Sequence, residues 1–140
     1  DFSPEIINGA FYHYSHGLKK HAGNCQRIAH GHRSQIQIWL NGERSDTEET
    51  YWAERWQDIY IGSKEDLSSE NADTLSFAYT AEQGDFSLTL AREHCYMMST
   101  DSTVELIADH LAQEIKLRHP EQNVRVRAFE GVNKGAMVQR

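Results

Sequence analysis

At 140 residues the chain suits a single domain, and 39% hydrophobic with 25% charged residues is the composition of a globular rather than a disordered protein. A net charge of −7 argues against nucleic acid or an anionic membrane as partner, and no apolar run approaches the roughly 20 residues that span a bilayer. Two cysteines make no disulfide framework and the start carries no signal-peptide pattern, so a cytoplasmic protein is expected, and eight histidines are the one unusual count.

The aromatic-rich stretch NGAFYHYSHGL (8–18) predicts a strand ending near Gly17, followed by a polar loop over 19–26. From His30 the chain alternates. His30, His32, Ser34, Ile36, Ile38 and Leu40 share one face, while Arg33, Gln35, Gln37 and Trp39 share the other. That period of two predicts a half-buried strand closed by an Asn41-Gly42 turn. The signal weakens over 43–72, where a helix from about 47 to 59 with Trp52 and Trp56 one turn apart precedes the loop-like KEDLSSENAD. TLSFAYTA and DFSLTLARE flank EQGD as a hairpin. The clearest helix follows. Ser102-Thr103-Val104-Glu105 fits a capping box, Leu106, Ile107, His110, Leu111, Glu114 and Ile115 form its stripe, and Pro120 ends it. NVRVRAFEG (123–131) predicts a last strand. Four or five antiparallel strands with helices on one face make an α+β fold whose open sheet edges favour an oligomer.

The chemistry concentrates in one stretch, CQRIAHGHRSQIQIWLNG (25–42). His30 and His32, two apart on a strand, point the same way and can supply two corners of a zinc tetrahedron. Gly31 between them permits close approach of another element. The preceding strand offers His13 and His16 as a third ligand, and three histidines leave a fourth position open for catalysis. Cys25 reads either as an inert buried thiol or as a proton carrier poised beside a cation, and Cys95 as a core residue.

YHYSHGL (12–18) resembles the F-x-A-A/S-H-R-L strand of the 6-pyruvoyltetrahydropterin synthase and 6-carboxytetrahydropterin synthase family. C-x4-H-G-H (25–32) resembles that family's Cys before His-Gly-His. DSTVELIADHL (101–111) is similar to its P-T-x-E-N-L-A helix start, and VRVRAFEGVNKGAMV (124–138) to its terminal strand. The motifs fall in the family's order and cover about half the chain, at both ends. The family's middle D-F-x-x-L-K helix has no counterpart, and 73–92 reads as a hairpin there.

The resemblance implies a tunnelling fold whose sheets join into an oligomeric barrel, a trimer or hexamer. It implies a zinc site of His16, His30 and His32, with Cys25 as the proton-transferring thiol. Glu130 would hold the 2-amino and N3–H edge of a pterin through paired hydrogen bonds, the geometry a carboxylate suits. Thr103 and Glu105 match secondary pterin contacts, and the capping box explains them equally well. Glu93 and His94 stand where the family pairs an Asp with a His for proton relay, Glu being one methylene longer. The implied activity is a zinc-dependent lyase on dihydroneopterin triphosphate or a related pterin. The spacing from Cys25 to His30 lies between the two branches and leans toward 6-carboxytetrahydropterin formation, in the queuosine pathway. Two rivals stay open, a non-catalytic member with a structural role and a plain binding domain with scattered histidines. The chain begins at Asp1 rather than Met, which also leaves open one half of a longer tandem protein.

Overall fold

The computed structural model describes residues 10–17, 28, 30–129 and 135–140, with the side chains of residues 10, 11, 30, 32 and 33 also outside the description. In chain order the elements are β1 (Ala10–His16), β2 (His30–Leu40), β3 (Glu43–Arg44), α1 (Asp46–Trp56), β4 (Ile59–Ser63), a 3₁₀ turn (Lys64–Asp66), β5 (Leu67–Glu70), β6 (Thr74–Ala81), β7 (Gly84–Ala91), a second 3₁₀ turn (Arg92–His94), β8 (Cys95–Met98), α2 (Val104–Arg118), β9 (Val124–Phe129) and β10 (Gly135–Gln139). The fold is α+β. Its described residues fall in two compact units, one from residues 10–13, 32–57 and 104–140, the other from 14–31 and 58–103.

In the first unit, β2, β9 and β10 pair antiparallel, with Ile38 opposite Val126 and Val126 opposite Val138. Val124, Val126 and Ala128 are buried with Ile36 and Ile38, and α2 packs over β9 and β10 with Val104, Ile107, Ala108, Leu111, Ala112 and Ile115. The buried stripe keeps the expected Ile107, Leu111 and Ile115, but alanines take the places expected for Leu106 and His110. Small residues let a helix lie close to a sheet, and size decides as much as polarity here. β2 departs from its half-buried expectation. Gln35 and Gln37 are as buried as Ile36 and Ile38, although their polarity alternates as written.

Asn41 and Gly42 both take positive φ (50° and 85°), which lets β2 turn back into β3 through a tight two-residue loop. Ser45 then starts α1, its hydroxyl accepting the Glu48 N–H at 3.2 Å. Trp52 and Trp56 meet edge to face with centroids 5.5 Å apart, as their spacing predicts. The helix ends earlier than expected, because Gln57 is extended and Asp58 takes a positive φ of 59°.

In the second unit the end of β1 runs parallel to β4, with Tyr14 opposite Ile59 and His16 opposite Ile61, and β4 runs parallel to β8. β5, β6 and β7 form an antiparallel sheet, and the expected β6–β7 hairpin closes between Ala81 and Gly84. Its core gathers Ile28, Tyr60, Leu75, Phe77 and Tyr79.

Ten strands among the described residues exceed the four or five expected, and two of the strand pairs are parallel rather than antiparallel. β4 is buried almost throughout, so it shows no alternation. β5 is polar and exposed, β8 spans only four residues, and β10 follows the strand expected to be last. Among the described residues no helix is long and apolar enough to cross a membrane.

Candidate functional site

His16 closes β1. Alternation puts it on the same face as Tyr12 and Tyr14, and all three are buried, His16 completely (0% exposed). Its Nδ1 lies 2.7 Å from the Ser102 carbonyl oxygen and 3.1 Å from the Ser102 hydroxyl. A carbonyl can only accept, so a proton sits on Nδ1, and in the neutral ring the lone pair is on Nε2. That is the tautomer a metal-bound histidine takes when its other nitrogen is held by a backbone carbonyl. The Tyr14 ring packs edge to face on the imidazole at 5.1 Å. His13, the alternative third ligand, is on the opposite face and exposed, its backbone N–H donating to Gln57 Oε1.

β2 is a hydrogen-bonded neighbour of β1 and carries His30 and His32 two residues apart. Their side chains, with Cys25 and Glu130, lie outside the described residues. Among the described residues no group of three metal-ligating side chains converges. His16 by itself fits the group the family implies, as a buried imidazole held at Nδ1, which makes Nε2 the nitrogen that would ligate.

The closest approach to a glycine beside the site histidines, among the described residues, is at Gly17. Among the described residues a Cβ on Gly31 would meet the Tyr14 carbonyl at an ordinary 3.6 Å, whereas one on Gly17 would lie 2.7 Å from the Ile28 carbonyl oxygen and 2.8 Å from the Tyr79 hydroxyl. Tyr60 also donates to the Ile28 carbonyl at 2.8 Å, fixing the chain two residues before His30. Burial drives the Tyr60 phenol well above its usual range, so it stays a donor.

Ser102 does not serve as the expected cap. Helix α2 begins at Val104, and Ser102, 2% exposed, turns its hydroxyl toward His16. Thr103 is half-buried just ahead of α2, and Glu105 is exposed in its first turn. Glu93 and His94 sit exposed on the second 3₁₀ turn and make no hydrogen bond or ion pair with each other. Cys95 is half-buried, and burial raises its thiol pKa, in keeping with a core residue. Sequence reasoning missed Ser102 as a partner of His16, since the shorter contact is a backbone carbonyl's and the two are 86 residues apart.

The sequence profile described as 6-pyruvoyl tetrahydropterin synthase matches residues 5–140. The chain belongs to the 6-pyruvoyl tetrahydropterin synthase family. Solved structures agree on the fold. A Plasmodium vivax 6-pyruvoyltetrahydropterin synthase, in a catalytic-residue mutant with cysteine replacing glutamate, is 18% identical, covers 99% of this chain and 93% of its own, and superposes with a TM-score of 0.66. The Plasmodium falciparum 6-pyruvoyl tetrahydropterin synthase gives 0.68 at 13% identity, with the same coverage. An uncharacterised protein from Wolinella succinogenes gives 0.52 at 15% identity, covering 91% of this chain and 93% of its own. No curated protein matches the chain. At these identities the superpositions establish the tunnelling fold.

Proposed function

We propose that the chain is a single pterin-synthase-like domain and a zinc-dependent lyase acting in the cytoplasm on dihydroneopterin triphosphate or a related pterin. The reaction resembles 6-carboxytetrahydropterin or 6-pyruvoyltetrahydropterin formation. One observation carries this reading. In a chain of this family, a fully buried histidine on the expected strand is held by Nδ1 so that Nε2 is the donor nitrogen.

His16, His30 and His32 would hold the metal, two of them from adjacent positions on one face of β2. Zinc, when bound, supplies Lewis acidity to the oxygens of the substrate side chain. Glu130 accepts two hydrogen bonds from the pterin edge, with Thr103 and Glu105 as further contacts, and so orients the side chain. Cys25 gives and takes the proton at the side-chain carbons, and His94 with Glu93 forms the second relay. The open sheet edges support assembly into a trimer or hexamer.

The exposed, unpaired positions of Glu93 and His94 favour a second reading, a non-catalytic member that keeps the fold for assembly. Two substitutions decide between them. Cys25→Ala should keep zinc and pterin but lose about 10²–10⁴-fold in turnover, the range for a general acid–base group. Glu130→Gln should weaken pterin binding by about 2–3 kcal/mol, the scale of hydrogen bonds to a charged group. Wild-type protein that binds zinc but no pterin, in a direct titration, supports the non-catalytic reading.

A further inference from the structure

We propose that Ser102 is the positioning residue that presents His16 Nε2 to the metal, an inference that rests on the zinc reading above and adds a residue to it. Two atoms of one residue grip one edge of the ring, the carbonyl oxygen at 2.7 Å and the hydroxyl at 3.1 Å from Nδ1. Both residues are almost wholly shielded from solvent, His16 at 0% and Ser102 at 2% exposure, so water does not compete for the bond. The opposite tautomer would set the Nδ1 lone pair against the carbonyl lone pairs at 2.7 Å, which is repulsive. Rotating the ring by half a turn would bring carbon Cδ2 to the carbonyl in place of the polar nitrogen and forfeit both contacts. The ring is therefore held with Nδ1–H toward Ser102 and Nε2 pointing away from it. In metal sites generally, such outer partners fix ring orientation and raise ligand basicity.

The placement of Ser102 gives the grip a second consequence. It precedes Thr103, a proposed pterin contact, and α2 starts at Val104. A displacement of that segment when pterin binds would therefore be felt at His16 through one hydrogen-bonded residue.

The test has two arms on the full chain. Two-bond ¹⁵N–¹H correlation spectra of metal-free, histidine-labelled protein should show His16 as the Nδ1–H tautomer at neutral pH. Ser102→Ala removes the hydroxyl and keeps the carbonyl, so the same spectra of that variant should still show the Nδ1–H tautomer, and competition with a chromophoric chelator should show zinc affinity lowered by less than about 10-fold, short of the range for full loss of an outer-shell partner, with the thermal midpoint kept. A wild-type His16 in the Nε2–H tautomer overturns the proposal, and this arm needs no variant to fold. Stoichiometric zinc in wild type with a switch of His16 to the Nε2–H tautomer in Ser102→Ala also overturns it, because the carbonyl alone would then not hold the ring, while leaving the zinc reading intact. Wild-type protein that takes up no zinc overturns the zinc reading itself.

Discussion

Gly17 shows how closely the second unit is built around the residue that follows His16. A methyl group there would press on a backbone carbonyl at 2.7 Å, which cannot swing aside as a side chain can. Gly17→Ala is therefore expected to destabilise the fold by about 1–3 kcal/mol, the usual cost of overpacking, and to weaken zinc binding by moving His16. Gly31→Ala is the control. Among the described residues its Cβ meets only ordinary contact, so urea unfolding should shift by less than about 1 kcal/mol. Equal losses in the two variants would contradict this assignment of the crowded position. The sequence marks both glycines beside histidines but does not say which is crowded, because crowding comes from Ile28 and Tyr79, distant in the chain or across a loop.

At the scale of elements, Glu49 ties α1 to the strand before it. The carboxylate is 3% exposed, accepts the Ile38 backbone N–H at 2.9 Å, and receives both Nε and Nη2 of Arg44 at 2.6 and 2.9 Å. Arg44→Ala would leave that buried charge with its backbone donor alone. A loss of about 3 kcal/mol in chemical unfolding is expected, the lower end for breaking a buried pair, since Arg44 itself is partly exposed. On α2, burial holds the His110 imidazole below its usual pKa, against the opposing pull of Glu114 and Asp109. The unfolded chain therefore binds this proton more readily than the folded one. Stability from His110 is complete above the ordinary histidine range and is lost as pH falls through it toward the lower folded value. His110→Gln should flatten that part of a melting-temperature profile taken between about pH 5 and 8, and an unchanged profile would remove His110 from the explanation. The elements legible in the sequence, β2, the β6–β7 hairpin and α2, carry long runs of one period. β4 and β8 pair parallel, β4 mostly buried and β8 half-buried with no exposed residue, so the polar–apolar alternation that marks a strand is missing from them. Gln35 and Gln37 show the converse, an alternation in polarity that does not become an alternation in exposure.

For the whole molecule, the family and the tunnelling fold were legible from motif order at both ends, although β3, β4, β5 and β8 between them were not. Of the candidate site, the sequence places His16 on its strand and His30 and His32 on the next, because side-chain identity and spacing are what a sequence records. It does not record the carbonyl of Ser102, which fixes the tautomer of His16. The proposed zinc, pterin and proton-transfer roles meet in one measurement. The chain, stripped of metal and reconstituted with zinc, is incubated with dihydroneopterin triphosphate, and products and bound metal are followed together by mass spectrometry and metal analysis. The expected result is one zinc per chain, with conversion of the pterin side chain that stops when zinc is withheld. Stoichiometric zinc with no conversion and no pterin bound would contradict the lyase reading.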